Sequence, residues 1–131
     1  MELSRTVRAG VVAAVLSGAP STLYAVATGR GPLEATLAAG SILLPGETRR
    51  GRLLAAAVPV HLGLSLGWAF ALDRAGIRTA RAGAVAGLVI AGLDLGVAGR
   101  RFPLIRALPL VPQLADHVAF GAIAGRLLGR R

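Results

Sequence analysis

Four stretches of this sequence, residues 9–28, 53–72, 82–99 and 107–125, run for about the thickness of a lipid bilayer with almost no charge. The first carries none, the second only His61, the third Asp94, and the fourth Asp116 and His117. A helix rises about 1.5 Å per residue, so each run spans a hydrocarbon core about 30 Å thick. Helix is forced as well as favoured, because backbone polar groups in lipid must bond within their own segment. The runs are also too long for barrel strands and lack their alternation.

Composition agrees with this reading. Hydrophobic residues make up 54% of the chain, glycine adds 18 positions and only 16% are charged, whereas a soluble domain of this size presents far more polar surface. With 131 residues there is room for one domain and at most four or five crossings. The expected fold is all-α: residues 1–131 form a single antiparallel four-helix transmembrane bundle. A fifth apolar run, 32–44, is too short to cross. Pro32 near its first helical position, Glu34 in the first turn and Pro45-Gly46 beyond its end mark a short extra helix between spans 1 and 2, interfacial rather than re-entrant. Cysteine is absent, which excludes disulfides, thiolate metal sites and cysteine nucleophiles.

The formal charge is +9, and all 15 basic residues are arginine. They lie outside the apolar runs or at their ends, where a guanidinium pairs with lipid phosphate while its stem snorkels. A nucleic-acid face would need interleaved aromatics, and the chain has three Phe, one Trp and one Tyr. The expected partner is therefore a bilayer with anionic headgroups, and no nucleic acid. Gly29-Arg30-Gly31-Pro32 is a turn and no phosphate loop, since no Lys-Ser or Lys-Thr follows it. Arg5 and Arg8 before an apolar stretch that reaches Ser17-Gly18-Ala19 resemble a signal peptide. Pro20 disfavours cleavage there, so the segment reads as the first span and the mature chain as beginning at Met1. Four spans put both termini on one side with eight arginines, against seven opposite. A tie this close gives only a weak bias for cytoplasmic termini and also permits dual insertion as an antiparallel homo-oligomer.

Small residues recur four apart in every run: Gly10, Ala14 and Gly18; Gly63 and Gly67; the pair Gly83 and Gly87 and the pair Gly92 and Gly96; Gly121, Gly125 and Gly129. Such stripes let helices approach closely, where dispersion replaces the hydrophobic force that lipid does not supply. Pro20 and Pro59 are each expected to kink a helix and free a carbonyl near mid-membrane.

The informative residues are the polar ones inside the runs, since an ionised Asp at a helix centre costs roughly 2.5–3.5 kcal/mol unless it is paired, neutralised or wetted. Folding the hairpins about Ala39, Gly76 and Pro103 brings His61, Asp94, Asp116 and His117 to one depth, with Ser17, Ser21, Ser65 and Gln113 within about a turn. These eight are the candidate ligand or proton-site residues. Asp116 points about 100° away from His117 and addresses a different neighbour. Two imidazoles at matched depth fit a haem iron; two His with two Asp fit a divalent metal; buried Asp and His fit proton carriage in a transporter or channel; and Asp116 with His117 fits acid and base work on a lipid-borne substrate. A purely architectural polar cluster stands beside all of these. Trp68, Tyr24 and Phe102 lie near span ends or bends, where belt aromatics and core fillers look alike.

The Arg101-Phe102-Pro103 turn followed by Leu108-Pro109, Pro112-Gln113, Ala115-Asp116-His117 and Phe120-Gly121, together with Gly18-Ala19-Pro20-Ser21-Thr22 and His61-Leu62, resembles small uncharacterised multi-pass integral membrane proteins of GC-rich actinobacteria. The resemblance implies a bacterial plasma-membrane protein and carries no catalytic or ligand roles. The expected function is proton-linked transport, small-ligand binding or an accessory role, with no cofactor. The alternative is a haem- or metal-binding protein, or an enzyme acting on a lipophilic substrate.

Overall fold

The computed structural model describes residues 2–130 and is all-α, with no strand among them. Helix α1 (Glu2–Leu16) breaks at Ser17-Gly18 and continues as α2 (Ala19–Ala27). The short α3 (Glu34–Leu43) folds back along the first half of the long α4 (Arg50–Arg74). Helix α5 (Ala80–Leu93) passes into a π-helical turn (Asp94–Ala98) and a 3₁₀ turn (Gly99–Arg101). A single turn, α6 (Pro103–Arg106), leads to α7 (Leu110–Leu128). Three helical stretches are long and apolar enough to cross a membrane: Leu3–Ala27, Arg50–Arg74 and Ala80–Arg101. The fourth expected span differs. Helix α7 has 19 residues but carries Gln113, Asp116, His117 and Arg126, which lower its hydropathy below that of the other three. Its polarity goes with its place, since α7 packs against α5, α1, α2 and α4 and is the central element of the fold.

The termini of the elements follow local chemistry. Thr79 caps α5 by accepting the Ala82 N–H at 3.2 Å. Pro20, Pro103 and Pro112 fall in first turns, where the missing N–H has no partner to lose. Gly76 ends α4 at φ +70°, a left-handed conformation that closes the turn with Ile77 N–H on the Leu72 carbonyl. In the α3–α4 loop the Glu47 carboxylate accepts the Arg49 and Thr48 N–H groups at 2.9 and 3.0 Å and faces Arg52. The Arg49 N–H above all holds its acidity above that of an ordinary glutamic acid.

The packing inverts that of a water-soluble domain. Ala9, Ala13, Leu72, Ile90, Phe120, Ala124 and Leu128 form the core between α1, α4, α5 and α7, and the interior also takes in Thr6, Ser17, Ser21, Ser41, Ser65 and Gln113. Large aliphatic side chains face outward, among them Val15, Leu23, Val58, Val85, Val89 and Val111. At the end holding the chain termini, Thr6 Oγ1 donates to Asp73, and Arg78 and Arg5 pair with the same carboxylate at 2.6 and 3.8 Å, fastening α1 to the α4–α5 turn.

Only part of the expected glycine stripe mediates contact. Gly83 and Gly87 lie against the Gly121 and His117 carbonyls, Gly121 and Gly125 against α5 and its cap, and Gly129 against Arg78, so that α5 and α7 touch backbone to backbone. Gly10 packs on Leu66 and Ala69, and Gly40 on the Leu53 carbonyl. Gly18, Gly63, Gly67, Gly92 and Gly96 have open space where a Cβ would stand, which corrects the expectation that every stripe is a seam. The physical reason is that α4 and α5 scarcely touch each other, so the glycine-bearing faces of α4 and of the end of α5 have no neighbouring backbone to admit. Gly63→Ala and Gly67→Ala are therefore expected to leave the thermal midpoint in detergent unchanged or raise it, since Ala gains up to about 1 kcal/mol over Gly in a helix. A marked fall in that midpoint would contradict the open face. Pro59 likewise sits inside an unbroken α4, whereas the break expected at Pro20 is present.

Candidate functional site: a cavity lined by Asp and His

The break before Pro20 sets up the site. In a straight helix the Ala14 carbonyl would accept from Gly18 and the Ser21 N–H would donate to Ser17. Here both groups turn to other helices. The Ala14 carbonyl accepts from His61 Nε2 of α4 at 2.7 Å, and the Ser21 N–H, in the first turn of α2, donates to Asp116 Oδ1 of α7 at 2.8 Å. One imidazole and one carboxylate thus satisfy two of the backbone groups that the kink frees, and the carboxylate also meets the positive end of the α2 dipole.

A second polar cluster lies beside it. Trp68 Nε1–H of α4 forks onto both oxygens of Asp94, at 3.2 and 3.0 Å, and His117 Nε2 lies 3.4 Å from Asp94 Oδ2. His117 Nδ1–H donates to the Gln113 carbonyl one turn back at 2.7 Å. That bond fixes which nitrogen carries the first proton, so any second proton is held between Nε2 and Asp94. Asp94 occupies the first residue of the π-helical turn, the point at which α5 leaves regular α geometry.

Both clusters open on one cavity of about 690 Å³ between α2, α3, α4, α5 and α7. Of the eight residues singled out in the sequence, Ser21, His61, Ser65, Asp94, Gln113, Asp116 and His117 line it, while Ser17 is buried at the kink outside the lining. Asp116 and His117 diverge as their spacing predicts, the one toward Ser21 and the other toward Asp94. Apart from Thr22, Thr36 and Trp68 the remaining walls are apolar, with Leu64, Ile90, Phe102, Ile105, Leu108 and Phe120 among them. No arginine among the described residues lines the cavity.

Trp68 was not distinguishable from a belt aromatic by position alone. The signal that finds it is periodicity: His61, Ser65 and Trp68 stand at i, i+4 and i+7 on one stripe of α4. As to metals and haem, no three His, Cys, Asp or Glu among the described residues stand close enough together to hold an ion, so His61, His117, Asp94 and Asp116 do not converge on a point. Ligation of an iron by both imidazoles would use His61 Nδ1, since Nε2 is on the Ala14 carbonyl, and His117 Nε2, from which it would displace Asp94. No protein-family model, curated protein or solved structure matches the chain.

Proposed function

We propose that the chain is a multi-pass protein of a bacterial plasma membrane, crossing four times, whose cavity binds a small, largely apolar ligand and links its passage to a proton. The observation that carries this reading is the cavity itself: mostly apolar walls that gather two carboxylates and two imidazoles at mid-depth. Intramembrane acids are costly and mark ligand or proton pathways. The fourth crossing rests on α7, whose Gln113, Asp116 and His117 are buried or half-buried among the helices around it, with Arg126 exposed in its last turn. Outward aliphatic residues and arginines at the helix ends suit the hydrocarbon core and its headgroup borders.

The titratable groups lining the cavity are His61 of α4, Asp94 of α5, and Asp116 and His117 of α7; the stretches of α2 and α3 that line it contribute none. His117 Nε2 and Asp94 Oδ2 face each other at 3.4 Å beside the π-helical turn, so a proton passing through the cavity has a seat between them that a ligand or a small shift of α5 would open.

Trp68 is the only tryptophan and hydrogen-bonds to Asp94, so its emission reports this proton. Wild-type protein in nanodiscs, titrated over roughly pH 4 to 9, is expected to show a cooperative change in Trp68 emission that disappears in Asp94→Asn. An emission independent of pH in the wild type would sink the proton-linked reading.

A further inference from the structure

We propose that the ligand is a lipophilic organic cation, its single positive charge met by Asp116 and its apolar body held against the cavity walls. This rests on the reading of the cavity as a ligand site and names the class of molecule it takes.

The charge balance comes first. The chain carries 15 arginines and a net charge of +9, yet no arginine among the described residues reaches the cavity, where Asp94 and Asp116 do. Asp94 is answered by His117 and by the Trp68 N–H. Asp116 accepts the Ser21 N–H, has the Ser21 hydroxyl and the imidazoles of His61 and His117 near it, and forms no ion pair with any described residue, His61 Nε2 being turned to the Ala14 carbonyl. The lining therefore holds one carboxylate that no cation pairs, in surroundings of low dielectric where charge interactions are several times stronger than in water. An anion entering would meet that carboxylate and Asp94. An uncharged ligand would bury it further without compensation. A monovalent cation neutralises it.

Shape and wall chemistry narrow the class. A metal ion or hydrated inorganic cation needs several converging oxygen or nitrogen ligands, and the lining brings no three such side chains together. A substituted ammonium spreads its charge over carbon and needs only one carboxylate and apolar or aromatic contact. Trp68 and Phe120 both line the cavity, and aromatic faces attract such cations. The volume of about 690 Å³ lies within the range of small-molecule sites, roughly 300–1,000 Å³, and well above the needs of a single ion.

The route is equally specific. Helices α4 and α5 scarcely touch, and the Trp68–Asp94 hydrogen bonds are the side-chain link between them among the described residues. Val15, Val58 and Leu64 line the cavity and are exposed on the outer surface, so the cavity opens sideways. A molecule dissolved in the bilayer reaches it from that side without passing the arginines at the helix ends.

The test compares two compounds that differ only in charge. Benzyltrimethylammonium and its carbon counterpart neopentylbenzene are titrated into protein in nanodiscs, with uptake by empty nanodiscs subtracted, and followed by Trp68 emission and by the thermal midpoint. The cation is expected to saturate and raise the midpoint, and Asp116→Asn to weaken it at least tenfold, a difference of about 1.4 kcal/mol. The neutral compound is expected to bind more weakly and to be indifferent to the substitution. Should Asp116→Asn fail to fold, the cation's preference over its counterpart in the wild type still decides. Equal binding of the two compounds, or cation affinity unchanged in Asp116→Asn, overturns the cation assignment and leaves an apolar ligand site standing. No response to either compound overturns the ligand site and the assignment with it.

Discussion

Gly83→Leu or Gly121→Leu is expected to abolish the folded, monodisperse protein in detergent, and Gly83→Ala alone to lower its thermal midpoint by several degrees. At both positions a Cβ would fall on the other helix's backbone: Gly121 would run into Gly83 and approach the Gly87 nitrogen to 2.9 Å, and Gly83 would run into the Gly121 carbonyl. A side chain can rotate away from a clash, but two helical backbones relieve it only by moving apart. Overpacking of this kind costs about 1–3 kcal/mol for a methyl group and more for leucine. The same separation would draw His117 from Asp94, because Gly87 rests on the His117 carbonyl. Size-exclusion chromatography after a thermal ramp reads the outcome, with Gly63→Ala as the matched control on an open face. Wild-type stability in Gly83→Leu would show that α5 and α7 do not meet along this seam.

The second large effect separates shape from charge at one residue. Asp116→Ala leaves the Ser21 N–H unpaired in the interior, at a cost of about 1–3 kcal/mol, and is expected to lower the thermal midpoint clearly. Asp116→Asn keeps an acceptor oxygen for that N–H and is expected to retain most of the stability while losing the negative charge. If the carboxylate only capped α2, the two variants would differ in stability and neither would alter ligand or proton responses. If it serves the cavity, both lose cation binding even though only one is destabilised. The ratio of the two effects therefore distinguishes an architectural carboxylate from a functional one.

Much of this arrangement was legible in the residues. Length and absence of charge located the helices, because hydropathy along 20 residues is a property of the chain alone. Hairpin counting, which uses only the constant rise of a helix, predicts one depth for His61, Asp94, Asp116 and His117, and all four line the same cavity. Facing was harder. The identical spacing of Gly83 with Gly87 and of Gly63 with Gly67 conceals the fact that the first pair is a seam and the second is open, since spacing states which residues share a stripe and not what lies opposite. Pro20 and Pro59 look equally disruptive on paper. Only Pro20 interrupts its helix, and there side chains from two other helices take up the groups it frees.

The sequence alone determined an all-α chain with apolar helices of bilayer length, arginines at their ends and a few ionisable groups within, because these follow from the local cost of burying backbone and charge. Tertiary structure decided which helix is central, which glycines touch, and that Asp94 faces Trp68 and His117 while Asp116 caps α2. These depend on the rotation of each helix about its own axis, which is set by packing against neighbours distant in the chain.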